Sequence, residues 1–419
     1  MDVSYNLRYQ KQNLSNRVIL DKEGEIIIYG KGFRLKGKGA NDKGELINFS
    51  EIKEFYYRND KIIFVTFAKE KYIISDSGTL FEQLLQDIYK ARNEFLMDAL
   101  FMKGGKLRAE FEGNFERQSK FGKLVNKGRA RLRLYEKSLI VIPPTQDAFS
   151  VHFDFVNFHE FDEMDYCLKI VLDDSVTVVI SQLGNDYDLF EEKMNTLLGG
   201  MYEMLVNECL KEIFPQFHAG TLLKLAYKMK GGKAVSLKEI EKIDKELEQA
   251  VTEFIMEDEL FLEKVKLLTG MVEKKDVYYG IARDATVAGG FIKWVMVAIA
   301  EKNIVAFSIL PRWQKSGDEA RPMDRHEMYF FKIIMENGQA EDKVEDKIRE
   351  IDQSLVVLNF AKDPCYKDKR ELRHSPYQYA IRKMPFLRIL RKSFIGKAGA
   401  QDAKEWQKQV KEIFGSAEI

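Results

Sequence analysis

Between Arg117 and Arg133 the chain places Arg117, Lys120, Lys123, Lys127, Arg129, Arg131 and Arg133 with no acidic residue among them. The last three alternate with Ala130, Leu132 and Leu134. In a strand that alternation puts every guanidinium on one face while the other face meets a core. A row of fixed cations is chemistry for holding an anion; a solvated basic face is the plainer alternative. A second basic stretch, Ala380 to Lys397, carries Arg382, Lys383, Arg388, Arg391, Lys392 and Lys397, again without an acid. Taken as a helix from Pro385, it gathers Phe386, Leu387, Ile389, Leu390 and Phe394 on one side and Arg388, Arg391 and Lys392 on the other. Such helices lie on membranes, fill partner grooves or pack on their own domain. Lys123, Lys127, Arg129, Arg131, Arg133, Arg388, Arg391 and Lys392 are therefore the candidate residues for an anion or a partner.

Catalytic chemistry is harder to place. The chain contains no GxxxxGK[ST], no GxGxxG after a strand, no HExxH, no GxSxG and no CxxC. Gly104-Gly105, Gly199-Gly200, Gly231-Gly232 and Gly289-Gly290 read as hinges or helix C-caps rather than phosphate loops. Five histidines, at 152, 159, 218, 326 and 374, are too scattered to define a metal or general-base site. Cys209 sits on an apolar helix face, and Cys365 with His374 is a thin basis for a nucleophile and its base. One long polar segment, Pro311 to His326, holds Arg312, Trp313, Asp318, Glu319, Arg321, Asp324 and Arg325 between two apolar runs. Long loops on rigid strands often carry function, which makes it the place for an enzyme site if there is one. Neither a cofactor nor a metal is expected.

The elements that hold these residues belong to a folded, multidomain chain. At 419 residues it exceeds one ordinary core, and 45% hydrophobic with 32% charged residues excludes general disorder. Sixty-six basic residues balance sixty-six acidic ones, so attraction to nucleic acid or an anionic membrane must come from a local patch. Three cysteines without a CxxC pair fit a reducing compartment. Met1 to Gln12 lacks an apolar signal region, and no stretch approaches the roughly 20 apolar residues of a membrane span. A cytoplasmic location is the expectation.

Internal similarity organises the first half. Gly30 to Leu35 resembles Gly128 to Leu134, Phe49 and Ile52 match Phe153 and Val156, Tyr72 to Ser75 then Gly78 match Val178 to Ser181 then Gly184, and Leu80-Phe81-Glu82 matches Leu189-Phe190-Glu191. Each copy reads as strand hairpins followed by one helix. The first helix begins at Thr79 with Glu82 as a capping box and places Phe81, Leu84, Leu85, Ile88, Phe95, Leu96 and Ala99 on one face. The second repeats that face with Phe190, Met194, Leu197, Leu198, Met201, Met204 and Leu205.

A β-meander of about a hundred residues closed by one amphipathic helix resembles the pleckstrin-homology-like (PH-like) superfamily, over roughly Asn13 to Lys211; a generic β-sandwich with a trailing helix is the alternative. The resemblance implies a bent antiparallel barrel whose open mouth the helix covers. In members that bind phosphoinositides, a first-loop lysine and a basic-x-Arg step on the second strand hold the phosphates, and Lys123 with Arg129-Ala130-Arg131 looks like that pattern. Other members bind proteins. In the first copy Lys31, Arg34, Lys36 and Lys38 are only a diluted version.

Beyond the second copy, Ser236 with Glu239 marks a helix start, and Leu237, Ile240, Leu247, Val251, Phe254 and Ile255 form its buried face. Strand signals return at Val277 to Ala282, Phe291 to Ala300, Ile304 to Leu310 and Met328 to Met335, before a helix over Ala340 to Leu358 and a tail that is helical beyond Pro385. A third, degenerate copy is conceivable from that order. Asn359-Phe360 with Tyr377 to Arg382 is similar to an arrangement in a group of bacterial proteins and transfers no site residues. The expected fold class is α+β: PH-like modules at 13–103 and 104–214, a helical spacer at 215–275 and a C-terminal α+β domain at 276–419. The expected function is a non-enzymatic protein-binding or scaffolding role. The alternatives are a peripheral binder of anionic lipid or nucleic acid, and an enzyme with its site in the C-terminal domain.

Overall fold

The computed structural model describes residues 3–13, 15–39, 42–230, 233–257, 259–283, 291–309, 327–333, 340–358, 377–399 and 402–417. They form two compact units, Met1–Met194 and Asn195–Ile419.

The first unit opens with β1 (Val3–Gln12), β2 (Val18–Tyr29), β3 (Gly32–Gly37), β4 (Glu45–Asn48), a 3-10 turn (Phe49–Glu51), β5 (Ile52–Arg58), β6 (Lys61–Thr66), β7 (Lys71–Ser75) and helix α1 (Phe81–Ala99). It continues with β8 (Leu107–Gln118), β9 (Leu124–Tyr135), β10 (Ser138–Ile142), β11 (Phe149–His152), a 3-10 turn (Phe153–Phe155), β12 (Val156–Asp162), β13 (Cys167–Leu172), β14 (Thr177–Ser181) and α2 (Tyr187–Leu205), which runs on into the second unit. The antiparallel sheets run β4-β3-β2-β1-β7-β6-β5 and β11-β10-β9-β8-β14-β13-β12, the same order twice. In each, the first strand pairs with the second and with the last. A meander whose last strand returns to its first must curl, and the curl encloses Phe33, Phe49 and Phe64 in one sheet and Phe115, Phe153 and Leu168 in the other, all fully buried.

Several correspondences read from the sequence fall on matching elements of the two sheets. Phe49 and Phe153 open the two 3-10 turns, and Ser75 and Ser181 close the two last strands. After them the backbone turns left-handed at Asp76 (φ 59) and Gln182 (φ 54), then at Gly78 (φ 58) and Gly184 (φ 60). Gly30 to Leu35 and Gly128 to Leu134 do not correspond. The former spans the β2–β3 turn and β3, the latter lies in β9, whose counterpart by order is β2. The basic face of β9 therefore has no equivalent, since β2 carries Asp21, Glu23 and Glu25 there. The first module also begins earlier than expected, because β1 precedes Asn13.

The helices differ from expectation at their first turns. No capping box forms at Thr79; a 3-10 turn, Gly78–Leu80, precedes α1, whose N-cap Leu80 makes no side-chain hydrogen bond. Counting from Gly78 and Gly184, Phe81 matches Tyr187, and Phe190 stands where Leu84 does. Phe190 is fully buried, stacking edge-on with Phe111, whereas Phe81 is only partly buried. Truncating Phe190 to alanine should cost about 3 to 5 kcal/mol, and truncating Phe81 about 1 kcal/mol. Denaturant unfolding of the two variants checks the difference, and equal losses would restore the original pairing.

The second unit is a six-stranded sheet in plain chain order: β15 (Val235–Ser236), β16 (Val277–Arg283), β17 (Phe291–Ile299), β18 (Ile304–Ile309), β19 (Met328–Lys332) and β20 (Phe394–Ala398). Its first and last strands stand at opposite edges, so it is not a third copy of the curled order. Helices cover both faces, which explains why β17 reads as one continuous apolar run and is buried at every position. Phe291, Val295 and Val297 pack on Leu225, Val251, Phe261, Val265 and Trp406, while Trp294, Met296 and Ala298 pack on Val344, Ile348 and Ile351. Residues 215–275, expected as a spacer between domains, belong to the same unit as the sheet and share its core. Their helical run breaks at Asp244, whose side chain caps a new helix, Lys245–Ile255, by accepting from Glu246 and Leu247 N–H. Ser236 caps Leu237–Ile243 by accepting from Glu239 N–H. No helix among the described residues is long and apolar enough to cross a membrane.

Candidate interaction surfaces

β9 has the alternation read from its sequence: Ala130, Leu132 and Leu134 are buried, and Lys127, Arg129, Arg131 and Arg133 share the other face. The adjoining strand supplies what the sequence reading did not weigh. Across the β8–β9 register Glu110 faces Arg133, Glu112 faces Arg131 and Glu116 faces Lys127. Arg129 reaches Glu112 at 2.6 Å, and Arg133 reaches Glu110 and Glu94 at 2.9 Å each. Cross-strand and diagonal pairs of this kind stabilise a sheet locally. Arg117 points to the opposite face, lying 4.9 Å from the centre of the Phe149 ring, and burial lowers its pKa. The basic run is thus divided: Arg129 and Arg133 are held in ion pairs, and Lys120, Lys123 and Lys127 gather at the hairpin end, where no ion pair reaches them among the described residues.

That end is a tight turn. Ser119 N–H donates to Lys123 O at 2.8 Å, Gly122 N–H donates to Ser119 O at 2.8 Å, and Gly122 has the left-handed φ of 72 that favours glycine. Phe121 is 84% exposed, with Leu124 and Val125 exposed beside it. Lys120 lies over the Phe121 ring at 5.2 Å.

Arg388, Arg391 and Lys392 belong to the second unit, whereas the β9 residues belong to the first. Their helix, Pro385–Ser393, packs against Ala340–Leu358, with Leu387 buried and Lys347 donating to Ser393 Oγ at 3.0 Å. Phe394, expected on the helix's apolar side, instead opens β20, and Ile389 is exposed. The helix is therefore a packed one that leaves Arg388 and Lys392 at the surface.

The polar constellation that the sequence reading missed joins the two modules. Arg92, fully buried on α1, makes a two-pronged bond to Asp147 at 2.6 and 2.8 Å and lies 5.3 Å from the centre of the Phe55 ring. Asn93 donates to Pro143 O and Gln146 O at 3.1 Å and accepts from Ala148 N–H at 2.8 Å. Ser138 Oγ donates to Met102 O at 2.9 Å. The loop of the second module is thereby clamped to the helix of the first. The signal was present: Arg92 follows Ile88 by four residues, inside the apolar stripe of α1.

Among the histidines, His152 is half-buried, and desolvation pushes its pKa down to about 4, which keeps it neutral. Cys209 is in the core. Gly199-Gly200 lie inside α2 rather than at its end. Pro311 to His326, Gly231-Gly232, Gly289-Gly290, Asn359-Phe360, Cys365 and His374 fall outside the described residues. No group of His, Cys, Asp and Glu among the described residues is placed to hold a metal.

No known family matches the chain, and no curated protein does. Among solved structures, part of the chain is similar to a chain described as "Structure of the Spt16D Pob3N heterodimer", at 11% identity, covering 42% of this chain and 86% of that one with a TM-score of 0.17. A likeness that slight carries no argument. The class rests on strand order: an α+β chain with curled antiparallel sheets.

Proposed function

We propose that the chain is a non-enzymatic scaffold built on two tandem PH-like modules, which binds a protein partner through exposed hairpin ends. One observation carries this reading: two sheets of the same strand order are clamped through the buried Arg92 and Asn93, while their hairpin ends keep apolar side chains in water. A rigid body with exposed apolar ends is suited to recognition, since isolated large apolar groups gain most when a partner covers them. The test is retention by the immobilised full chain. A protein held in stoichiometric amount by the wild type should be lost with Phe121→Asp and Met164→Asp at unchanged circular dichroism. Retention by the variant, or an organic cofactor or metal held stoichiometrically in native mass spectrometry, would remove the proposal.

Peripheral attachment to an anionic membrane is the second reading, favoured by Lys120 and Lys123 flanking Phe121 next to exposed Leu124 and Val125. It predicts co-sedimentation with vesicles containing anionic lipid that weakens as salt rises. Binding insensitive to salt would count against it.

A further inference from the structure

We infer that the chain associates head to tail with a second copy of itself, through the two opposite hairpin ends of its second module. This rests on the scaffold reading and names the partner.

β14 fixes the geometry. Its first residue, Thr177, pairs with Gln118, beside the basic β8–β9 turn. Its last residue, Ser181, pairs with Cys167, beside the β12–β13 turn. The two turns therefore lie at opposite ends of the same strands and cannot meet within one chain. The second turn is the chemical opposite of the first. From Phe158 to Leu168 the chain places Glu160, Asp162, Glu163 and Asp165 with no lysine or arginine, and none of the four forms an ion pair among the described residues. Burial first, then the carboxylates of Asp162, Asp165 and Glu160, push the Cys167 thiol up. Met164, between Glu163 and Asp165, is 92% exposed, and Tyr166, next after Asp165, is 63% exposed.

Each turn thus offers large apolar groups beside charges of one sign at its tip, and the two signs are opposite. Such surfaces are wet in the isolated chain and complementary to each other. Three acids lie toward the basic end, Asp173, Asp174 and Glu116; Asp174 accepts from Val176 N–H at 3.1 Å, and Glu116 stands across from Lys127. At the acidic end Lys169 stands across from Glu160. These opposite charges stand behind the tips, which keep one sign each: Lys120 and Lys123 in one turn, Asp162, Glu163 and Asp165 in the other. The counterpart of the acidic turn in the first module is Arg58-Asn59-Asp60-Lys61, mixed in charge, with Tyr56 and Tyr57 exposed on the strand beside it but no methionine or aromatic in the turn itself. The pair of complementary ends thus belongs to the second module. A contact between unlike ends leaves one free end on each partner, so it extends as an open chain unless rotation closes it. Two hairpin tips bury little area, placing the contact in the weak, concentration-dependent class.

The full chain is tested by sedimentation velocity over a range of protein concentrations. At about 0.1 M salt, where charges act over about 10 Å, the wild type should grow beyond one copy as concentration rises; at about 1 M salt, where that length is about 3 Å, it should return to one copy. One variant carries Lys120→Glu, Lys123→Glu and Lys127→Glu. A second carries Glu160→Lys, Glu163→Lys and Asp165→Lys, sparing Asp162, whose Oδ1 accepts from Met164 and Asp165 N–H and shapes the turn. Each alone should remain a single copy, and an equimolar mixture should associate again, because each retains the native end the other lacks. A wild type that stays single at low salt overturns the inference, as do variants that associate like the wild type. If the wild type stays single yet still retains another protein through Phe121 and Met164, the scaffold reading survives and only the self-association fails.

Discussion

Asp147→Ala is expected to destabilise the first unit by about 3 kcal/mol, a large loss for a side chain that is 44% exposed. The reason lies with its partner. Arg92 is fully buried, and without the carboxylate its charge would keep only its cation-π contact with Phe55 and whatever else lies close. Removing the other member should cost less: in Arg92→Met the apolar stem is kept, no charge remains inside, and the half-exposed Asp147 returns to water. Guanidinium unfolding of both variants, with hydrogen exchange along α1 and residues 143–148, checks the order. A larger loss for Arg92→Met than for Asp147→Ala would show that the clamp works by packing alone.

Gly280→Ala is expected to be almost as damaging in the second unit. Gly280 stands opposite Trp294 across the β16–β17 ladder, and a Cβ added there would come 2.0 Å from the indole ring. The ring cannot swing away cheaply. It is fully buried, in the layer with Val344, Ile348 and Ile351 on the helix Ala340–Leu358. Overpacking at such a site costs about 3 kcal/mol, and Trp294→Ala alone should cost about 3 to 5 kcal/mol. Because both changes act on one volume, the double variant should lose clearly less than the sum. Additive losses in thermal or denaturant unfolding would disprove the steric account.

What was legible in the sequence and what was not divides along physical lines. Strand and helix periods are local, so the four β-runs between Val277 and Lys332 and the helix Ala340–Leu358 could be read directly. The repeated strand order was legible because Tyr72–Ser75 and Val178–Ser181 each end three residues before a glycine, Gly78 and Gly184, and Phe49 and Phe153 precede those glycines by nearly the same distance. The pairing of Phe81 with Phe190 misled because it followed letters, Leu-Phe-Glu, while the turn that sets helix phase is counted from Gly78 and Gly184. The anion row on β9 failed as a single site for a different reason. Glu110, Glu112 and Glu116 repeat with the same period of two, but only the hairpin register brings them opposite the arginines. The acidic turn at Asp162 to Tyr166 was overlooked because runs of acid on a loop usually mean no more than solvation; its meaning comes from Met164 and Tyr166 standing exposed among them.

The pairing of first strand with last also sets a timetable for synthesis. Arg8 lies opposite Ser75, and Asn114 opposite Ser181, so neither sheet can close until more than sixty residues beyond its opening strand have left the ribosome. Long-range closure is entropically slow and leaves strand edges open meanwhile. The first sheet and α1 can be complete while the second module is still unmade, with Arg92 and Asn93 solvated until residues 143–148 arrive to cover them. Within the first unit, synthesis order therefore favours the first module folding before the second, whose residues 143–148 then settle on α1.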